Sequence, residues 1–123
     1  FIKDYNINEF RKNGIEHELK EVFYTISHKG VIRAIHFQLG HQQAKLVRCV
    51  KGRVYDVIVD LRKDSETFGK WIGYELSEDN RRELYVPEYF GHGYLVLEES
   101  IVSYKCGEVF YGEGDSGIIR ILP

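Results

Sequence analysis

Almost everything after residue 20 of this chain is a succession of short apolar segments, rich in β-branched and aromatic residues and separated by turn residues. Segments of this length and spacing are typical of strands in a β-sandwich or a small barrel. We therefore expect an all-β fold, and the short connections favour a double-sheet jelly roll. The predicted strands cover residues 18–27, 30–38, 44–51, 52–61, 71–76, 83–86, 93–97, 101–106 and 116–122.

One short helix is predicted before the strands, over residues 8–13. Asn8 is a residue type that caps helices, and Gly14 is one that ends them. Gly52 lies between two predicted strands, where we expect a tight turn. The chain has no repeats and no linker, and its 123 residues suffice for one hydrophobic core. We interpret residues 1–123 as a single domain.

Composition and charge exclude several classes of function. The formal net charge of -2 offers no basic surface for nucleic acid. No apolar run reaches transmembrane length, so we expect no membrane partner. Cys49 and Cys106 lie far apart within apolar strand patterns. They are predicted to be buried thiols rather than a disulfide, which is typical of a cytoplasmic protein.

Polar side chains interrupt two neighbouring predicted strands, 31–38 (VIRAIHFQ) and 43–48 (QAKLVR). Burying such groups without partners is unfavourable, so they must be solvated, paired or used. Two antiparallel strands could present an imidazole, an ammonium and a guanidinium on one concave face, which would suit a pocket for an anionic, carbonyl-bearing small molecule. On an ideal strand, however, Arg33 and His36 point to opposite faces, as do Lys45 and Arg48. Either a bulge intervenes or only one residue of each pair faces the pocket.

A second group of chemically active residues follows later in the chain. The segment 86–94 (VPEYFGHGY) places His92 between two glycines, where a ligand or another backbone can approach closely. Asp56 is an acid inside an otherwise apolar strand. A buried carboxylate is rarely left alone, and histidine is a common partner.

Taken together, these motifs resemble those of the dTDP-4-dehydrorhamnose 3,5-epimerase family. The similarity covers roughly residues 1–118, and the further matching segments are GRVYDV (52–57), VDLR (59–62), SETFGKW (65–71), LS (76–77) and YK (104–105). The resemblance implies a cupin-type jelly roll that works without metal or organic cofactor. It also implies a homodimer, for which the apolar run 20–26 supplies a strand, and a nucleotide-diphospho-4-keto-6-deoxyhexose as substrate.

The resemblance assigns three catalytic roles. The family's general base matches His36, its enolate-stabilising lysine matches Lys45, and its general acid matches Tyr104. A 4-ketone acidifies the C–H bonds at C3 and C5, but the enzyme must still stabilise the enolate, which a nearby ammonium does. Histidine suits the base because its pKa lies near operating pH. A phenol can return the proton on the opposite face if its pKa is lowered.

The remaining matches are supporting or substrate-binding positions. The family's second active-site histidine matches His92, and the carboxylate partner of that histidine matches Asp56. Arg33 matches an arginine that lines the substrate pocket, and Gln38 and Gln43 flank the same region.

Three functions therefore compete. The first is an epimerase acting at C3, C5 or both. The second is a non-catalytic sugar-nucleotide-binding homologue, because the family's base is oriented by an aspartate beyond the Gly-Ile that matches Gly117 and Ile118, and this sequence ends at Pro123 without it. The family's Asp-Arg-Gly before its first phenylalanine, which matches Phe1, is also absent, so we expect a chain shorter than the family at both ends. The third is a metal-dependent cupin, which often carries a His-x-His pair; this sequence has none.

Overall fold

The computed structural model describes residues 1–109 and the backbone of residues 116–118. One helix and seven strands are present in this part of the chain, and all strand pairs are antiparallel. The elements are α1 (Ile7–Lys12), β1 (Glu21–Ser27), β2 (Ile32–Gln38), β3 (Lys45–Asp60), β4 (Trp71–Ser77), β5 (Glu83–Val86), β6 (Phe90–Cys106) and β7 (Ser116–Ile118). The predicted β class is confirmed. Residues 119–122 of the last predicted strand lie outside the described residues.

The helix begins earlier than the sequence pattern predicts. Asn6, not Asn8, is the N-cap, and its side-chain oxygen accepts hydrogen bonds from the backbone N–H groups of Asn8 and Glu9 at 3.0 and 3.1 Å. The helix ends before Gly14, whose φ of +81° is the left-handed conformation that glycine adopts readily. No helix among the described residues is both long and apolar enough to cross a membrane.

Two long strands replace four of the predicted short ones. Predicted strands 44–51 and 52–61 form the single strand β3, and predicted strands 93–97 and 101–106 form β6. The expected tight turn at Gly52 is wrong: the residue lies inside β3, within a region where the pairing register with β6 shifts between Cys49 and Val54. A left-handed glycine suits a bulge as well as a turn, so composition alone did not distinguish them.

The bulged region folds the long strand pair back on itself. Tyr104 follows His92 by 12 positions on β6, about 40 Å along a straight strand, yet their ring centroids are 5.8 Å apart. One half of the structure carries β4 and β2 beside the long pair, and the other half carries β5 and β1. The two halves face each other as the layers of a cupin-like β-sandwich.

The core lies between the layers and draws on both halves of each long strand. Its buried members are Val47, Cys49, Val54, Ile58, Leu76, Val86, Tyr94, Val96, Val102, Tyr104 and Cys106. The two strands that carry the polar motifs are not adjacent: β6 lies between β2 and β3. The two strands therefore do not pair with each other. Each pairs with β6, and both border the same interior.

We expect Gly52→Ala to destabilise the protein strongly. A Cβ at this position would collide with the carbonyl oxygen of Glu99 and would lie 2.7 Å from the hydroxyl oxygen of Ser100. Gly14→Ala is the matched control, because Gly14 has the same φ of +81° with open space around it. Gly14→Ala should cost about 1–2 kcal/mol for the left-handed backbone alone. The loss for Gly52→Ala should be larger by about 1–3 kcal/mol, the range typical of overpacking.

The measurement is the free energy of unfolding by urea denaturation of both variants and the parent chain. Equal losses for the two variants would show that the crowding around Gly52 relaxes at no cost, and the bulge would then not require a glycine for reasons of space.

Candidate active site

A bulge in β2 brings Arg33 and His36 to the same face of the sheet. Arg33 is paired with Tyr94 and His36 with His92, so three steps along β2 correspond to two along β6. Since Tyr94 and His92 share a face, both β2 residues point to that face. The Nε of Arg33 donates to the hydroxyl of Ser27 at 2.8 Å, which fixes the guanidinium beside β1. Of the two alternatives left by the sequence, the bulge is confirmed.

Lys45 and Tyr104 reach the same interior from the other half of the sandwich. Lys45 is paired with Cys106, two residues beyond Tyr104, so the two side chains share a face. The Nζ of Lys45 lies 5.8 Å from the centroid of the Tyr104 ring. Both residues are buried, with 8% of their surfaces exposed. Arg48 points to the opposite face, where its Nη1 contacts Asp4 at 2.8 Å.

His92 and Asp56 form the buried pair that the sequence predicts. The Nε2 of His92 and the Oδ2 of Asp56 are 2.9 Å apart, and both side chains are essentially inaccessible to solvent. The Oδ1 of Asp56 is buried without a hydrogen-bond partner in the described part of the chain. The carboxylate thereby fixes the orientation of an imidazole whose ring edge meets Tyr104.

Burial lowers the pKa of each base in this site, and neighbouring positive charges add to the effect at the two histidines. The pKa of His36 is lowered by loss of water around its ring and by the positive charges of Lys45, His92 and Arg33. Burial likewise lowers the pKa of Lys45, although Cys106 and Asp56 oppose the shift. The pKa of His92 is also lowered by burial, which outweighs the attraction of Asp56. A neutral His36 is ready to accept a proton.

The pKa of Tyr104 is raised, in contrast to the pKa of the three bases, which is lowered. Burial, followed by the charge of Tyr94 and a hydrogen bond with it, raises the pKa of Tyr104 rather than lowering it. The protonated phenol is therefore the favoured form, and Tyr104 holds a proton rather than acting as a base. Donation was expected to need a lowered pKa, and burial of the ring has the opposite effect because it disfavours the phenolate.

The side chains of Gln38 and Gln43 donate hydrogen bonds to main-chain carbonyl groups. The Nε2 of Gln38 donates to the carbonyls of His41 and Val109 at 2.6 and 3.3 Å. The Nε2 of Gln43 donates to the carbonyl of Glu108 at 2.8 Å. These bonds hold the segment after β2 against the end of β6, so the two side chains support the wall of the site.

Three further residues line the site, and the sequence motifs did not identify them. The Phe23 ring stacks on Tyr104 with centroids 4.5 Å apart, and the hydroxyl oxygens of Thr25 and Tyr94 are 2.6 Å apart. Phe23 and Thr25 alternate along β1, and Tyr94 lies two positions after His92. Their alternation was a usable signal, but the pairing of β1 with β6 was not visible in the sequence.

A bent antiparallel sheet that encloses a histidine, a lysine and a tyrosine defines a cupin-like sandwich suited to proton transfer. The family model for dTDP-4-dehydrorhamnose 3,5-epimerase matches residues 1–122. A dTDP-4-dehydrorhamnose 3,5-epimerase of Methanothermobacter thermautotrophicus is 47% identical over 119 residues, which cover 96% of this chain and 64% of that relative. The chain belongs to the dTDP-4-dehydrorhamnose 3,5-epimerase family, as the sequence motifs predict.

Solved structures of the same family are also similar to this chain. The dTDP-4-dehydrorhamnose 3,5-epimerase of Bacillus anthracis, solved with TDP and PPi bound, is 41% identical with a TM-score of 0.92, covering 97% of this chain and 69% of that one. A dTDP-6-deoxy-D-glucose-3,5-epimerase of Legionella pneumophila, in complex with dTDP-4-keto-L-rhamnose, is 35% identical with a TM-score of 0.94, covering 99% of this chain and 65% of that one. The chain thus spans about two thirds of the length of these relatives.

We expect the imidazole of His36 to titrate below its ordinary pKa of 6.5, and Lys45→Met to move the midpoint upward. Methionine keeps the buried volume but removes the positive charge, so the protonated imidazole becomes less unfavourable. NMR titration of the histidine ring protons measures the shift, with the His36 signal assigned from a His36→Asn spectrum.

Lys51→Met is the control, because Lys51 lies on the same strand with its side chain exposed. A His36 midpoint that is unchanged in Lys45→Met, or changed equally in Lys51→Met, would contradict the electrostatic coupling between Lys45 and His36.

Proposed function

We propose that this protein epimerises C3, C5 or both in a nucleotide-diphospho-4-keto-6-deoxyhexose of the dTDP-4-dehydro-6-deoxyglucose type. The observation that carries the proposal is geometric: His36 pairs with the buried His92, whose ring centroid lies 5.8 Å from that of Tyr104, and the Nζ of Lys45 lies 5.8 Å from the same Tyr104 ring. Enolisation beside a ketone needs these three functions: a base, a cation near the developing oxyanion, and an acid. The family membership of the chain supports the same substrate class.

The proposed reaction is a sequence of proton transfers. His36 removes a proton from the carbon beside the ketone, and the electrons of that C–H bond shift to the C4 oxygen as an enolate. The Lys45 ammonium lies in a desolvated site, where a positive charge stabilises the enolate more than it would in water. Tyr104 then donates its hydroxyl proton to the carbon from the opposite face and becomes a phenolate. These steps need no metal or organic cofactor.

The supporting residues hold this arrangement. We propose that the hydrogen bond with Asp56 keeps the His92 ring correctly oriented against Tyr104. The Arg33 guanidinium, anchored by Ser27, offers a positive charge to the anionic part of the substrate. Gln38 and Gln43 act indirectly, because they support the wall of the site rather than contacting the substrate.

The test is proton NMR of dTDP-4-keto-6-deoxyglucose incubated with the protein in deuterium oxide. His36→Asn should abolish exchange at both C3 and C5, because asparagine keeps one hydrogen-bonding group but cannot act as the base. A positioned base typically contributes about 10²–10⁴-fold to the rate. His28→Asn, which changes an exposed histidine outside the strands, is the control and should exchange like the parent chain.

Each alternative function has its own outcome in this experiment. Exchange at one carbon only would identify a single-position epimerase. Binding of the nucleotide sugar without exchange would identify a non-catalytic homologue, and near-parental exchange by His36→Asn would remove His36 from the base role.

We also propose a homodimer that forms through β1. Alternate residues on its outer face, Val22, Tyr24 and Ile26, are 58%, 66% and 62% exposed and make an apolar stripe. A second copy would cover this stripe and pair with the edge of the strand that faces away from β6.

Both cysteines are buried free thiols, which favours the reducing environment of the cytoplasm.

Sedimentation velocity at micromolar concentration should therefore show a dimer, and Tyr24→Lys should shift it to monomer by placing a charge in the apolar stripe. Phe68→Lys is the control, since Phe68 is a comparably exposed apolar residue in the loop between β3 and β4. A strictly monomeric parent chain, or equal dissociation of both variants, would refute this interface.

A further inference from the structure

Tyr94 is a buried phenol between Tyr104 and Thr25. Only 1% of its surface is exposed, and its hydroxyl oxygen lies 2.6 Å from the hydroxyl oxygen of Thr25. On its other side, the ring centroids of Tyr94 and Tyr104 are 6.3 Å apart, with the ring planes inclined at 43°. Three hydroxyl-bearing side chains thus follow one another from the proposed acid to β1.

The outer end of this series is closer to water than the inner end. Thr25 is half-buried on β1, whereas Tyr94 and Tyr104 are only 1% and 8% exposed. Tyr104 is covered by Phe23, which stacks on its ring, and by His92, which meets it edge-on. Solvent therefore approaches the Thr25 hydroxyl more readily than it approaches Tyr104.

The proposed reaction makes this geometry significant. Once Tyr104 has given its proton to the substrate carbon, a phenolate remains in a buried site, where an unpaired negative charge is unfavourable. The phenolate must be stabilised during the step and protonated again before the next turnover. A hydroxyl group already in place can do both without reorganisation.

We propose that Tyr94 and Thr25 are positioning residues that orient the Tyr104 hydroxyl and relay a proton back to it from solvent. This inference rests on the proposed epimerase function. The Tyr94 hydroxyl donates its proton to the Tyr104 phenolate oxygen, the Thr25 hydroxyl donates to Tyr94, and a water donates to Thr25. The proton that His36 removed from the substrate is released to solvent and neutralises the hydroxide left by that water, so one turnover changes neither charge nor composition.

The other proton-carrying groups near Tyr104 already have a partner or a proposed role. The Nε2 of His92 is bound to Asp56, and the Lys45 ammonium is the proposed partner of the enolate oxygen. A direct return of the proton from Lys45 would leave Tyr94 without an effect on the rate. Removing the Tyr94 hydroxyl therefore distinguishes that route from the relay.

The experiment compares Tyr94→Phe and Thr25→Val with the parent chain in the deuterium-oxide assay. Both substitutions remove a hydroxyl group and preserve nearly all of the side-chain volume. We expect the rate of inversion to fall at least about tenfold in Tyr94→Phe, within the range that a positioned acid contributes. Exchange with retention of configuration depends on His36 and Lys45 and should persist. A merely structural defect would lower both rates together.

Tyr85→Phe is the matched control, because Tyr85 lies on β5 with its ring against His17, away from the site. It should leave inversion and exchange unchanged. Thermal melting of all variants shows whether each is folded, and Thr25→Val provides the second test should Tyr94→Phe fail to fold.

A double variant tests whether Tyr94 acts through Tyr104. Tyr104→Phe alone should lower the rate of inversion by about 10²–10⁴-fold while leaving exchange with retention, and adding Tyr94→Phe should not lower the residual rate further. Parental inversion rates in folded Tyr94→Phe and Thr25→Val, or an equal further loss in the double variant, would overturn the relay. A parent chain that shows neither exchange nor inversion would instead contradict the epimerase function itself.

Discussion

The site depends on the fold-back of one strand pair. β3 and β6 are the longest strands, and their shared bulge near Gly52 turns what would be a flat ribbon into two facing layers. Lys45 and Tyr104 lie on one side of the bulge, and Asp56 and His92 lie on the other. Without the bend, these groups would be tens of ångströms apart. The backbone geometry of the bulged region between Cys49 and Val54 thus brings the groups of the site together.

The convergence has an electrostatic cost. Lys45 and His92 are buried, while Arg33 and His36 lie at the exposed side of the site. Loss of hydration lowers the pKa of both histidines and of the lysine, and neighbouring positive charges lower the pKa of the histidines further. Asp56 offsets part of this positive potential. A ligand that carries a diphosphate and develops an enolate charge would offset more of it, because anions stabilise nearby cations most where water is excluded. The electrostatics of the site and of the proposed substrate are therefore complementary.

Much of the fold and the membership of the site could be read from the sequence, whereas its arrangement could not. The β class, the strand at 83–86 and the His92–Asp56 pair followed from alternation and from the rarity of a lone buried carboxylate. The continuity of β3 through Gly52 did not follow, because positive φ serves turns and bulges equally well. The position of β6 between β2 and β3 is a long-range pairing that no local pattern encodes. The raised pKa of Tyr104 could not be predicted either, because its burial arises from residues distant in sequence.

β1 links the interior of the site to the surface of the molecule. Its inner face supplies Phe23, which stacks on Tyr104, and Thr25, which bonds to Tyr94. Its outer face is the exposed apolar stripe, and in the described part of the chain the strand pairs only with β6. A strand held along one edge is freer to shift than one held along both. Covering its outer face with a second copy would restrict that freedom, and with it the positions of the two side chains that contact the tyrosines. In such a dimer, assembly and the geometry of the proposed proton donor are coupled through one seven-residue strand.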